Sequence, residues 1–104
     1  MGLEILRDVL MNWARYELDD EIYVPSDMSG PSLDVEVSVL PFDPSRARMF
    51  EGQRYFLGIE QVRDAIEGLE AQLGRPATPP ERLQATLHYA QNDAFIDPAD
   101  LVGG

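Results

Sequence analysis

The sequence predicts an α+β fold, in which a small antiparallel sheet has helices packed on one face, with the order helix, strand, strand, strand, helix, helix. Three observations support this class. Residues 33–39 alternate between apolar and polar side chains, as a strand with one buried face does. Residues 3–17 and 59–73 repeat apolar side chains with helical spacing. The length of 104 residues suits one domain, so we expect residues 1–97 to form it and 98–104 to be a turn and flexible tail.

The first half of the chain predicts one helix and two strands. Apolar side chains fall on one broad face over residues 3–17, which is typical of an amphipathic helix. In the following stretch, EIYVP, Tyr23 faces away from its two aliphatic neighbours, as in a short strand. Gly30 and Pro31 mark a turn, after which LDVEVSVLP gives the clearest strand, ending at its proline.

The second half predicts a strand and two helices. Residues 42–53 form a long connection, and RYFLG is the third strand. A helix over residues 59–73 ends at Gly74, a common stop signal. The next helix starts with Thr78 as N-cap and Glu81 in its first turn, a capping box. Its predicted buried stripe is Leu83, Leu87, Ala90 and Ala94.

The composition limits the possible functions. Nineteen acids against eight arginines give a net charge of −11, and no base occurs between Tyr16 and Ser45. Such a field disfavours direct binding to nucleic acid and attracts a basic partner, although it can also serve solubility alone. The absence of cysteine excludes disulfides, thiolate zinc sites and a cysteine nucleophile. Without a signal peptide or an apolar run of about 20 residues, we expect a cytoplasmic protein that does not interact with membranes.

The acidic stretch predicts a partner-binding surface. If EIYVP pairs with LDVEVSVLP, Tyr23, Asp34 and Glu36 share the solvent-facing side of the sheet, and further acids lie at its edge. Tyrosine supplies binding energy and the charges supply fast, selective encounter. The alternative is a merely solvated face. The candidate partner-binding residues are Glu17, Asp19, Asp20, Glu21, Tyr23, Asp34 and Glu36.

The stretch HYAQNDAFID holds the single histidine but does not predict a catalytic or metal site. On a helix, His88 and Asp93 point in different directions, and no second ligand group supports either. We expect no cofactor, and we interpret the stretch as a helix end. Its apolar residues, Phe95 and Ile96, are predicted to pack onto the first helix around Trp13.

Three arginines near the middle loop, Arg46, Arg48 and Arg54, form a second candidate cluster. Guanidinium groups bind phosphates or carboxylates bidentately. Pairing with the protein's own acids is the favoured interpretation.

The stretches DEIYVP, YFLGIEQVRDAIEGLE and LHYAQNDAFID resemble an uncharacterised family of small acidic bacterial domains, over nearly the whole chain. The resemblance implies no catalytic motif. In size and charge such domains are similar to immunity proteins, which neutralise toxins of bacterial competition systems; this is an analogy.

We therefore expect a non-enzymatic protein-binding domain, an immunity-like or antitoxin-like inhibitor of a basic toxin or nuclease. One alternative is a phage-type nucleic-acid mimic that inhibits a host defence nuclease. A second alternative is a small hydrolase using His88. The oligomeric state is open, since an exposed edge strand can pair with a copy or with a partner.

Overall fold

The computed structural model describes residues 3–27, 31–47, 49–50 and 52–101. Gly30, Arg48 and the end of the predicted tail at 102–104 lie outside these residues. The strands are β1 (Glu4–Ile5), β2 (Glu21–Pro25), β3 (Glu36–Leu40), β4 (Met49–Phe50) and β5 (Gln53–Gly58). The helices are α1 (Leu6–Met11), α2 (Ile59–Leu73) and α3 (Pro79–Asn92), with 3₁₀ turns at Trp13–Arg15 and Pro98–Asp100.

The strands form one antiparallel sheet in the order β1-β3-β2-β5-β4, and the three helices accompany it, which confirms the predicted α+β class. The main core contains the apolar side chains of β2, β3 and β5 together with those of α1 and α2. Among the described residues, no helix combines the length and apolarity that crossing a bilayer requires.

The first helix is much shorter than the predicted 3–17. The strand β1 comes before the helix, and α1 ends at Met11 with Asn12 as its C-cap; the Asn12 side-chain amide donates to the Asp8 carbonyl at 2.9 Å. The backbone N–H groups of Leu6 and Arg7 donate to carbonyls of residues 35 and 33, at 3.0 and 2.9 Å. These bonds satisfy the first donors of α1, which a helix start leaves without intrahelical partners. β3 begins at Glu36, three residues later than predicted, because residues 32–35 form a turn in which the Val35 N–H donates to the Ser32 carbonyl at 3.3 Å.

The middle of the chain holds a strand that the sequence did not predict. Within the expected connection 42–53, β4 pairs with the start of β5, and Gly52 adopts a left-handed φ of 77° at the turn. The β2–β5 ladder shifts register at the Ile22/Tyr23 step, so that β5 carries one extra residue. This bulge lets two consecutive residues, Phe56 and Leu57, both join the core.

The boundaries of α2 and α3 are as predicted. Gly74 ends α2 with a left-handed φ of 72°, and Thr78 and Glu81 form the capping box of α3. The buried face of α3 differs from the predicted stripe, because α3 packs against α1 and α2. Its buried residues are Glu81, Ala85 and Thr86. The predicted Leu83 and Leu87 are half-buried, and Ala90 and Ala94 are exposed.

The segment after α3 packs differently from the prediction. Ile96 is buried with Leu69 and three alanines in a second, smaller cluster between α2 and α3. Phe95 is 55% exposed, and its ring lies against Tyr89, with centroids 5.8 Å apart. Trp13 packs against the main core instead, so the prediction that this segment packs around Trp13 was wrong.

A charged network holds the corner between α2 and α3. Arg75 donates two hydrogen bonds to the Glu81 carboxylate, at 2.8 and 2.7 Å. These bonds, with the Thr78 backbone N–H, lower the pKa of Glu81 to about 2. Arg82 donates to the Leu10 carbonyl at 2.8 Å and to Glu70 at 3.1 Å, which ties α3 to both α1 and α2.

Candidate functional site

Residues 17–20 form a turn, here called the acidic turn, whose backbone is fixed by hydrogen bonds. The Asp20 backbone N–H donates to the Glu17 carbonyl at 3.0 Å, and the Asp20 carboxylate accepts from the Glu17 N–H at 3.0 Å. On the other side, the carbonyls of Leu18 and Asp20 accept the N–H groups of Glu60 and Ile59, at 3.0 and 2.8 Å. The turn thus satisfies the first two donors of α2 and is anchored to that helix.

The side chains of the acidic turn point largely to solvent. Glu17 and Asp19 are exposed, and Asp20 is half-buried by its bond within the turn. Leu18, between the two exposed acids, is 44% exposed. Glu60 adds a further carboxylate, which lies 3.5 Å from Arg63. The acidic turn therefore presents an apolar side chain flanked by carboxylates.

Tyr23 does not lie on a solvent-facing surface, so that prediction was wrong. Its side chain is 1% exposed, although it does point away from Ile22 and Val24 as the alternation implied. The Arg46 guanidinium carbon lies 5.7 Å from the ring centroid, and the Tyr55 ring meets it edge-on at 5.9 Å. This side of the sheet is therefore covered by the connection before β4, and Tyr23 cannot serve as a surface anchor.

Glu21 is also buried, at 8% exposure, and is occupied within the fold. Its carboxylate accepts a hydrogen bond from the Tyr23 hydroxyl at 3.3 Å and lies 3.8 Å from Arg46. Arg46 in turn donates to the Pro41 carbonyl at 2.9 Å. Two of the seven candidate residues, Glu21 and Tyr23, thus contribute to folding and not to an exposed surface.

Asp34 and Glu36, here called the β3 acids, are exposed but lie far from the acidic turn. Glu21 pairs with Leu40 in the β2–β3 ladder, so Glu36 lies at the other end of β3, four residues away. At about 3.3 Å per residue, this separation is ~13 Å along the sheet. Asp34 pairs with Arg7 at 3.0 Å. The structure therefore divides the predicted acidic surface into two separate groups.

The histidine stretch forms a helix end, as predicted. α3 ends at Asn92, and Asp93 adopts a left-handed φ of 51° as its C-cap. His88 is half-buried, and the Asn92 side-chain amide lies 3.3 Å from its Nδ1 and donates to its carbonyl at 3.1 Å. Across the ranges that the structure describes, no three histidine, cysteine or acidic side chains are grouped as a metal site would require.

Arg46 and Arg54, the members of the predicted arginine cluster that the structure describes, do not lie together. Arg46 covers the Tyr23 side of the sheet, whereas Arg54 pairs opposite Val24, which belongs to the core side. Arg54 lines a cleft of about 340 Å³ between β5 and α3, together with Phe56 and Leu87. No sequence pattern indicates this cleft, because it depends on how α3 lies over the sheet.

A family model described as a domain of unknown function, DUF7716, matches residues 3–98. The chain belongs to the DUF7716 family. This match confirms the predicted membership of an uncharacterised family over nearly the whole chain. No curated protein and no solved structure gives a significant match.

Within this DUF7716 chain, the family match includes the acidic turn, the β3 acids and the cleft. These features differ in chemistry. The first two are carboxylate surfaces, and the third is a cleft of mixed lining, with apolar side chains, a glutamine and an arginine.

Proposed function

We propose that the chain is a non-enzymatic protein-binding domain, which binds a basic protein through the acidic turn. The observation that supports this is the exposed Leu18 between the carboxylates of Glu17 and Asp19, on a backbone anchored to α2. A fixed backbone lowers the entropic cost of association. The carboxylates would steer a basic partner, and the leucine would supply apolar contact at the centre.

The β3 acids support such binding less well. Asp34 already pairs with Arg7, and Tyr23, the expected aromatic anchor beside them, is buried. The proposed interface is therefore narrower than the sequence implied.

The proposed biological role is that of an immunity-like or antitoxin-like inhibitor of a bacterial toxin or nuclease, acting in the cytoplasm. Support comes from the small size and the net charge of −11, by analogy with proteins that neutralise basic enzymes. A nucleic-acid mimic needs acids in a row with phosphate-like spacing, and the division into two groups does not favour it.

Matched charge reversals test the proposed interface. A basic protein captured from an extract of the source organism is identified, and its affinity is measured for two double variants. We expect Glu17→Lys/Asp19→Lys to weaken binding by about tenfold or more at low salt, mainly through slower association. Asp34→Lys/Glu36→Lys changes the net charge equally and should have a much smaller effect. The wild-type domain should also inhibit the captured protein's own activity.

Three outcomes would contradict the proposal: no basic protein is captured, both double variants weaken binding equally, or binding leaves the partner's activity unchanged. Competition for the partner by duplex DNA would instead favour the nucleic-acid mimic. A third charge-matched variant, Glu67→Lys/Asp100→Lys, serves as the control, since both residues are exposed and belong to neither group.

A further inference from the structure

A cleft of about 340 Å³ lies between β5 and the C-terminal half of α3. This volume is within the range of small-molecule pockets, about 300–1,000 Å³. Its lining includes Pro31, Arg54, Phe56, Leu87, Ala90 and Gln91.

The bulge in β5 brings one apolar side chain to the floor of the cleft. The extra residue places Phe56 on the helix side of the sheet, where it is 7% exposed. Leu87 of α3 is half-buried opposite, and Pro31 is buried. Since α3 packs mainly against α1 and α2, its second half leaves room above β5. The cleft therefore combines a limited apolar surface, from Phe56, Leu87 and Pro31, with polar groups in the same lining.

Among the lining residues that the structure describes, one side chain is cationic. Arg54 pairs opposite Val24, so it lies on the same side of the sheet as the cleft. Arg54 has contacts of its own. A guanidinium has five N–H donors and binds carboxylates bidentately, so it can hold a ligand carboxylate in addition. Gln91 at the exposed rim adds an amide that can donate or accept.

We propose that this cleft binds a small monocarboxylate with an apolar body, whose carboxylate is held by Arg54 and whose body lies on Phe56 and Leu87. The one guanidinium among the described lining residues matches a single negative charge. The net charge of −11 opposes anions at long range, which disfavours phosphates and other multiply charged ligands. This binding is independent of the proposed function at the acidic turn.

A titration followed by amide NMR tests the assignment, with 3-phenylpropanoate as the probe. We expect saturable shifts at Phe56, Leu87 and Gln91, with a Kd of about 1 mM or lower, the affinity of a small fragment. The neutral 3-phenylpropanamide tests the carboxylate, and propanoate tests the apolar body. Both should bind at least about tenfold more weakly.

Two variants locate the probe. Arg54→Gln should weaken the binding of 3-phenylpropanoate about tenfold, to an affinity close to that of 3-phenylpropanamide. Ala90→Leu narrows the rim and leaves Arg54 unchanged, so it should weaken the binding of the probe. Because Ala90 is exposed, the fold should tolerate the larger side chain. Ala71→Leu, at an exposed position of α2 outside the cleft, is the matched control.

The proposal is overturned if the cleft residues show no saturable shifts, or if the acid and its amide bind equally well. It is equally overturned if the Ala90→Leu and Ala71→Leu variants bind 3-phenylpropanoate with the same affinity. If Arg54→Gln fails to fold, the acid–amide comparison and the Ala90→Leu variant still decide the question.

Discussion

Arg82→Met should lower the free energy of unfolding by about 2–4 kcal/mol, because Arg82 connects three parts of the helical layer. Its guanidinium donates to the Leu10 carbonyl at 2.8 Å, to the Ala77 carbonyl at 3.0 Å and to the Glu70 carboxylate at 3.1 Å. The side chain is only 11% exposed. Methionine keeps an unbranched stem and a good helix propensity, so the change removes mainly the polar contacts.

The magnitude follows from the partners that are left behind. A hydrogen bond from a charged group contributes about 1.5–3 kcal/mol net, and three would give more than the expected value if they were additive. They are not additive, because they share one side chain and water can reach part of the site. Leu10 is in the last turn of α1, where carbonyls have no intrahelical partner, and its side chain is fully buried. Its lost bond should account for much of the cost.

Urea denaturation followed by circular dichroism measures the loss, with an unchanged m value as the check on two-state unfolding. Arg7→Met is the matched control, because the Arg7–Asp34 pair is exposed and should contribute less than about 1 kcal/mol. A double-mutant cycle with Glu70→Gln should give a coupling of about 1 kcal/mol. Equal losses for Arg82→Met and Arg7→Met, or no coupling to Glu70, would refute the reasoning.

Three further predictions use the same assay. Gly68→Ala should stabilise by up to about 1 kcal/mol through helix propensity, whereas Gly74→Ala, at a left-handed φ of 72°, should destabilise by about 1–2 kcal/mol. The new Cβ of residue 68 would lie 3.2 Å from the Phe95 ring, which is exposed and can move. If the two glycine variants changed the free energy of unfolding in the same direction, this contrast would be wrong. The pKa of Glu81 lies at about 2, below its ordinary 4.5, so the unfolded chain binds the proton first. The stability that this group contributes is present above pH 4.5 and is lost as the pH falls towards 2. Glu81→Gln should therefore weaken the dependence of the free energy of unfolding on pH over that interval. An unchanged dependence would show that the pKa of Glu81 is not lowered. Finally, Tyr23→Ala should cost about 3–5 kcal/mol and Tyr23→Phe only about 1 kcal/mol, and a small cost for the alanine variant would contradict the burial of this ring.

The ends of α2 and α3 could be predicted because their signals act within one helical turn. Gly74 supplies the left-handed residue that ends α2, and Thr78 and Glu81 bond to each other's backbone three residues apart. None of these interactions depends on where the rest of the chain lies, so the sequence alone locates them.

The extent of α1 could not be predicted, because its beginning depends on residues far along the chain. Leu6 and Arg7 bond to carbonyls of residues 35 and 33. The apolar spacing over 3–17 is compatible with one helix, and nothing local reveals that β1 pairs with β3 instead. A strand of two residues is also too short to show an alternation.

The error about Tyr23 had a different origin. The alternation correctly placed the Tyr23 side chain on the other face of the sheet from Ile22 and Val24. That face, however, was assumed to be exposed to water. β2 lies in the middle of the sheet, between β3 and β5, and Arg46 from the connection between β3 and β4 covers its outer side. A tyrosine in a central strand, with an arginine available from a nearby loop, is the signal that could have indicated this cover.

The division of the acids into two groups changes what a charge experiment can show. Net charge acts over the whole molecule, so any charge reversal that weakens binding is compatible with a nonspecific field. The acidic turn and the β3 acids each offer two exposed carboxylates, and the turn lies beside the Leu40 end of β3, about 13 Å along the strand from Glu36. Replacing either pair by lysines changes the net charge equally. A difference in partner affinity between the two double variants must therefore come from position, and only such a difference would make the acidic turn an interface.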